Sequence, residues 1–123
     1  MKSALGQPLA TVTIKKSKFL GWSFDAHSTD EVKDLLVSFK KEYADARHIV
    51  YAYRLKEEGI LREKFDNDKE PSSSAGQPLL YLLQKKELMD KLVVVVRYFG
   101  GTKLGVGGLI RAYTQVGQEA LEK

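Results

Sequence analysis

Residues 92–96, Leu-Val-Val-Val-Val, form an aliphatic run with no polar side chain, and soon after it comes segment 100–108, where five of nine residues are glycine. A β-branched run without alternation has no solvent face, so it reads as a central strand buried on both sides. Glycine lets the backbone adopt positive φ and approach other groups closely. Leu109, Tyr113, Val116 and Ala120 then recur at helical spacing on one stripe. The expected order is therefore strand, glycine loop, helix start.

The rest of the chain reads as shorter elements. Residues 10–14 (Ala-Thr-Val-Thr-Ile) and 19–24 read as strands, with residues 15–18 as a polar turn or bulge between them. Ser28 with Glu31 has capping-box spacing, and Val32, Leu35, Leu36, Phe39 and Tyr43 supply the apolar face of the helix that follows. Residues 48–55 alternate: Ile49, Tyr51, Tyr53 and Leu55 face one way, His48, Val50, Ala52 and Arg54 the other. Residues 59–69 are polar and are expected to form a turn with a short strand or a mobile loop. A helix starts near Ser74 or Gly76, with Pro78 in its first turn and Leu79, Leu80, Leu82 and Leu83 on its apolar face.

At 123 residues the chain is the size of one domain, and residues 1–123 are read as a single unit. The absence of cysteine excludes a disulfide framework, a thiol nucleophile and a thiolate zinc site. No apolar run approaches the roughly 20 residues of a membrane helix. Met1-Lys2-Ser3-Ala4 leads into no apolar stretch, so no secretory signal is read and a cytoplasmic location is expected. The net charge of +4 is uneven. Before Asp25 the only charged residues are Lys2, Lys15, Lys16 and Lys18, and over residues 92–118 they are Arg97, Lys103 and Arg111. If these acid-free segments pack side by side, they make one positive surface that attracts phosphates.

The glycine loop has a physical use beyond turning. Free N–H groups in the first turn of a helix, with the helix dipole, make an anion site. Arg97, Lys103 and Arg111 are expected to face a phosphate there, with Tyr98, Gly100, Gly101, Thr102, Gly105, Gly107 and Gly108 completing the site. Neither nucleotide fingerprint is met: Lys103 follows Thr102 and precedes Leu104, and Ile110 stands where a dinucleotide loop needs glycine. The alternative is a tight turn whose glycines only permit close packing.

Other constellations are weaker. His27 and His48 lack metal-ligand spacing, and no metal or cofactor is expected. Asp66, Asp68 and Glu70 alternate as a solvated edge does, though they are also a set a hard cation would accept. Ser72, Ser73 and Ser74 approach His48 only through the fold, without a Gly-x-Ser-x-Gly elbow, and no catalytic residue is assigned. Tyr51, Tyr53, Tyr98 and Phe99 are candidates for base stacking, Tyr98 and Phe99 the better ones because they lead directly into Gly100, whereas aromatics in strands are more often core.

Taken together, these segments resemble the YigZ/IMPACT family. Arg97-Tyr98-Phe99-Gly100-Gly101-Thr102-Lys103-Leu104-Gly105, running on through Gly107-Gly108-Leu109-Ile110-Arg111-Ala112-Tyr113, is similar to its signature. Lys16-Ser17-Lys18-Phe19 resembles its "K-S-x-F" strand, and residues 46–54 its "A-x-H-x-x-x-A-Y" strand. Residues 70–78 resemble its "D-G-E-P-S-x-T-A-G-x-P" segment, with Lys69 where the family usually has glycine and Ser74 where threonine is common. The resemblance implies an Impact-type domain with a fold like domain 2 of ribosomal protein S5. That is a two-layer α+β sandwich, a mixed sheet with helices packed on one face and a left-handed crossover.

The resemblance also implies a role in translational control, since eukaryotic members bind the activator of the amino-acid-starvation kinase. The leading expectation is a non-enzymatic domain that binds RNA or the ribosome through the loop, with Lys16, Lys18, His48, Glu70 and Ser72 as accessory residues. One alternative is a protein-interaction domain with a purely structural glycine loop. The other is an enzyme acting on a small phosphorylated or peptidic substrate.

Overall fold

The computed structural model describes residues 5–123; the Met1–Ala4 start, read above for a secretory signal, lies outside them. Eight elements follow one another: β1 (Ala10–Ile14), β2 (Ser17–Asp25), α1 (Thr29–Glu42), β3 (His48–Glu57), β4 (Ile60–Asp66), α2 (Gly76–Lys85), β5 (Lys91–Tyr98) and α3 (Gly105–Leu121). The strands form one sheet in the order β1-β2-β5-β3-β4, and every neighbouring pair is antiparallel.

The aliphatic run takes the central position of that sheet. Val93 and Val95 enter one apolar cluster, with Leu79, Leu83, Tyr113 and Val116 of α2 and α3. Leu92, Val94 and Val96 enter a second, with Trp22 of β2 and Val32 and Phe39 of α1. This corrects two expectations within the α+β class. The sheet is antiparallel rather than mixed, and the helices cover both faces rather than one. The reason is β5 itself: with no polar side, it requires apolar cover above and below.

The connections carry a further consequence. From β2 the chain passes through α1 to β3, and from β4 through α2 to β5, each time skipping one strand. The two crossovers run in opposite directions, start from oppositely directed strands, and lie on opposite faces of the sheet. They therefore have opposite hands, and one of them is left-handed, against the strong preference of such units for the right hand.

Local signals act as their chemistry dictates. Ser28 Oγ accepts from Glu31 N at 3.1 Å, while Glu31 Oε2 reaches back to His27 N at 3.0 Å rather than to Ser28. The β1–β2 hairpin turns on Lys15 and Lys16, both at positive φ, as a two-residue primed turn requires. Residues 59–69 take the first of their two expected forms, a turn and then a strand, rather than a mobile loop. Most of them form the seven-residue strand β4, exposed along its whole length. An edge strand with solvent on both sides carries no alternation for a sequence reading to detect.

Candidate functional site

Alternation along β5 sends Arg97 to the same side as Val93 and Val95, beneath α2 and α3. There it is only 4% exposed, a charged group that must be paired to remain. Its Nη1 donates to both oxygens of Glu70, at 2.9 and 2.7 Å, and its Nη2 donates to Ser17 Oγ at 3.2 Å. The Tyr113 hydroxyl of α3 donates to Glu70 Oε2 at 2.5 Å. Burial, and then the neighbouring carboxylate, push the Tyr113 phenol far above its usual range. The guanidinium lies between the rings of Phe19 and Phe99, at 5.4 and 5.6 Å, and its buried Nε has no hydrogen-bond partner.

His48, at the start of β3, stands opposite Arg97 in register. Its Nδ1 is 2.7 Å from the Asp68 carbonyl oxygen, which can only accept, so that nitrogen carries a hydrogen. Its Nε2 is 3.4 Å from Glu70 Oε1, an ion pair when the ring is protonated. The turn after β4 aims Glu70 inward. Asp68 Oδ2 accepts from Ile49 N at 2.7 Å, Asp66 Oδ1 from Asp68 N at 3.0 Å, and Asn67 Oδ1 from Gly76 N at 2.6 Å. The two aspartates are committed to shaping the backbone, and the third acid, Glu70, to Arg97. Among the described residues, no group of three His, Cys, Asp or Glu side chains is placed to hold a metal ion.

Above this network opens a groove of about 670 Å³. Arg47, Lys69 and Lys103 stand along it, Phe99 forms a wall, and Leu104, Val106 and Leu109 line the apolar side. The Arg47 guanidinium sits 5.0 Å over the Phe99 ring. Helix α3 begins here at Gly105, with no side-chain cap and no acid in its first turn. Uncapped first-turn N–H groups are the feature an anion uses.

The three cations expected to converge do not. Arg97 is beneath the groove with its charge held by Glu70. Arg111 lines a separate depression along the outer side of α3, with Gln115 and Glu119. Helical geometry explains this, because Arg111 is two residues from buried Leu109 and Tyr113, about 200° around the axis, and so faces the opposite, solvent side of α3. Of the three, Arg97 and Lys103 line the groove, Arg97 at its floor with its charge already paired. Tyr98 faces the other side of the sheet, where its hydroxyl donates to Asp45 at 3.0 Å. Gly105 lines the groove; Gly100, Gly101, Thr102, Gly107 and Gly108 do not.

Among the accessory residues, His48 and Glu70 line the groove, but Lys16, Lys18 and Ser72 do not. The Ser74 hydroxyl donates to Pro71 O. The sequence does not point to Arg47 and Lys69, although each flanks a residue that it does single out. β1, β2 and β5 do lie side by side, and of their cations Arg97 is buried.

At Gly100 the packing leaves no room for a side chain. A Cβ there would overlap the Lys16 carbonyl group and Ser17 N. The backbone of the loop runs directly against the first hairpin, and Gly100 N donates to Ser17 Oγ at 3.2 Å.

Residues 15–121 match the Impact N-terminal domain. The chain belongs to the IMPACT family. It is 40% identical over 110 residues to the family member YvyE of Bacillus subtilis, covering 89% of this chain and 50% of that protein. Against YigZ of Escherichia coli the identity is 36%, over 86% of this chain and 54% of YigZ. The chain thus spans about half the length of these IMPACT proteins. The crystal structure of a hypothetical protein, 34% identical, superposes with a TM-score of 0.85 over 95% of this chain and 59% of that one. The two-domain translational regulator Yih1, 23% identical with a TM-score of 0.59 over 94% of this chain and 45% of its own, shares the fold. No helix of the described residues is long and apolar enough to cross a membrane.

Proposed function

We propose that this Impact domain is a non-enzymatic RNA-binding module of translational control, and that it holds RNA in the groove between Arg47, Lys69 and Lys103. One observation carries the reading: the groove presents three cations, while its one acid, Glu70, is already neutralised by Arg97. Phe99, 37% exposed beside Arg47, offers a ring on which a base can stack. The uncapped start of α3 offers N–H donors to a phosphate. The description of the fold relative Yih1 as a translational regulator agrees with this role.

Binding of a labelled single-stranded RNA should weaken as salt rises. The double variant Arg47→Ala with Lys103→Ala should flatten the slope of log affinity against log salt by about 1.4, since each single-strand phosphate left without its cation removes about 0.7. An unchanged isotherm for the folded double variant sinks the reading.

A protein partner is the second reading, favoured by Val106, 49% exposed beside the groove on α3. Pull-down from nuclease-treated extract separates the two, because an RNA bridge does not survive the treatment.

A further inference from the structure

The opposite face of the sheet holds a second cleft. It lies between α1 and the β3–β4 edge, remote from the glycine loop. Its floor is Tyr51 and Tyr53, whose rings are parallel to within 3° with centroids 6.3 Å apart. One wall is α1, which presents Lys33, Val37 and Lys40 at helical spacing; the other is Lys64 of β4, paired with Tyr53 in register. The lining holds three lysines and no carboxylate.

The surroundings offset part of this charge, since Asp66 and Asp68 line a shallower depression that adjoins the cleft at Leu36, Lys40 and Tyr51. Glu57 is spent on Thr29 N at 3.1 Å and on Arg62 at 3.4 Å. Asp66, across from Tyr51, accepts from Asp68 N, a neutral donor that orients the carboxylate and leaves its charge in place. Val37 stays 48% exposed, an apolar side chain on a helix whose other apolar residues are covered.

We propose that this cleft binds the unpaired bases of a single-stranded RNA, with Tyr51 and Tyr53 taking the bases and Lys33, Lys40 and Lys64 the phosphates. Tyrosines two apart on a strand point to the same face, so consecutive bases of one strand can meet both. Lysines alone would accept any polyanion, and aromatic rings alone any apolar ligand. Their combination without a carboxylate fits a ligand that alternates negative charge with flat π faces. The choice of RNA over DNA rests on the translational reading above; the choice of a single-stranded nucleic acid rests on the cleft alone.

The test uses the full chain and a fluorescently labelled ten-nucleotide oligouridylate, read by anisotropy. Tyr53→Leu should weaken binding about 5- to 160-fold, the range that removal of one stacked base gives, and Tyr53→Phe should restore most of it. Lys33→Glu with Lys64→Glu, both at exposed positions that leave the core intact, should weaken it further and flatten the salt dependence. Unchanged affinity in the lysine double variant overturns the cleft, as does equal weakening of heparin binding by Tyr53→Leu, which would mean charge without stacking. Tighter binding of the deoxy oligonucleotide overturns the choice of RNA. Weakening in Arg47→Ala with Lys103→Ala alone overturns the cleft and spares the groove, and weakening in the cleft variants alone does the reverse.

Discussion

Arg97 and Glu70, 27 residues apart in sequence, meet in a buried ion pair in which one guanidinium nitrogen contacts both carboxylate oxygens. The pair is completed by hydroxyls from opposite ends of the chain, Ser17 and Tyr113. Its members come from β2, β5, α3 and the turn after β4, so it ties together the layers from which the groove is built.

Removing one partner leaves the other charged and buried. Glu70→Gln is expected to cost about 3–5 kcal/mol in urea unfolding. Replacing both residues, Arg97→Met with Glu70→Leu, should cost less than the two single changes added together, and a double-mutant cycle measures the difference.

The tyrosines give a pH dependence of definite sign. Tyr98 is pushed up to about 12, first by burial and then by its hydrogen bond to Asp45, and Tyr113 is pushed higher still. A phenol raised in the fold contributes stability that is fully present below its ordinary value of 10 and is lost as pH rises toward the folded value. Alkaline unfolding is therefore expected above pH 10, with Tyr113 ionising only as the chain opens. Phenolate absorbance followed beside circular dichroism checks this, and Tyr113→Phe should weaken the pH dependence.

Two glycines of the loop should respond in opposite ways. Gly100→Ala drives a methyl group into the backbone of residues 16 and 17 and should destabilise strongly or prevent folding. Gly107→Ala, inside α3 with its nearest neighbour 3.5 Å away at Arg111, should stabilise by about 0.5–1 kcal/mol through helix propensity. Thermal melting of the two variants decides between glycines that the packing demands and glycines that it merely tolerates.

Lys69 allows charge to be separated from conformation. It stands where the family usually has glycine, and its φ is +68°, in the left-handed region glycine enters freely. Lys69→Gly should keep or raise the melting temperature while weakening RNA affinity, because the geometry survives and a groove cation is gone. Equal affinity would remove Lys69 from the binding surface.

Much of the fold is legible in the sequence because periodicity reports burial. The stripe Leu109, Tyr113, Val116 and Ala120 and the alternation of residues 48–55 each say which side is covered. The unalternating run of β5 says that both sides are covered, yet a single run does not say by what, so the second helical layer is not legible from it. The site is harder for a different reason. Arg97 is a cation in the sequence and a neutralised core residue in the fold, and only the fold brings Glu70 to it. Arg47 and Lys69 reach the groove because the chain turns just beside them, through hydrogen bonds to Asp68 and Asn67 that no spacing reveals.

The Ser17 hydroxyl serves both Arg97 and Gly100, 80 and 83 residues further along. Tyr113, which completes the same cluster, lies in the last helix. During synthesis on the ribosome, the Ser17 hydroxyl must therefore wait, unused by these partners, until some 80 further residues have emerged. The hairpins β1–β2 and β3–β4 can thus form early, while the central strand and the cluster that locks them together arrive late and all at once.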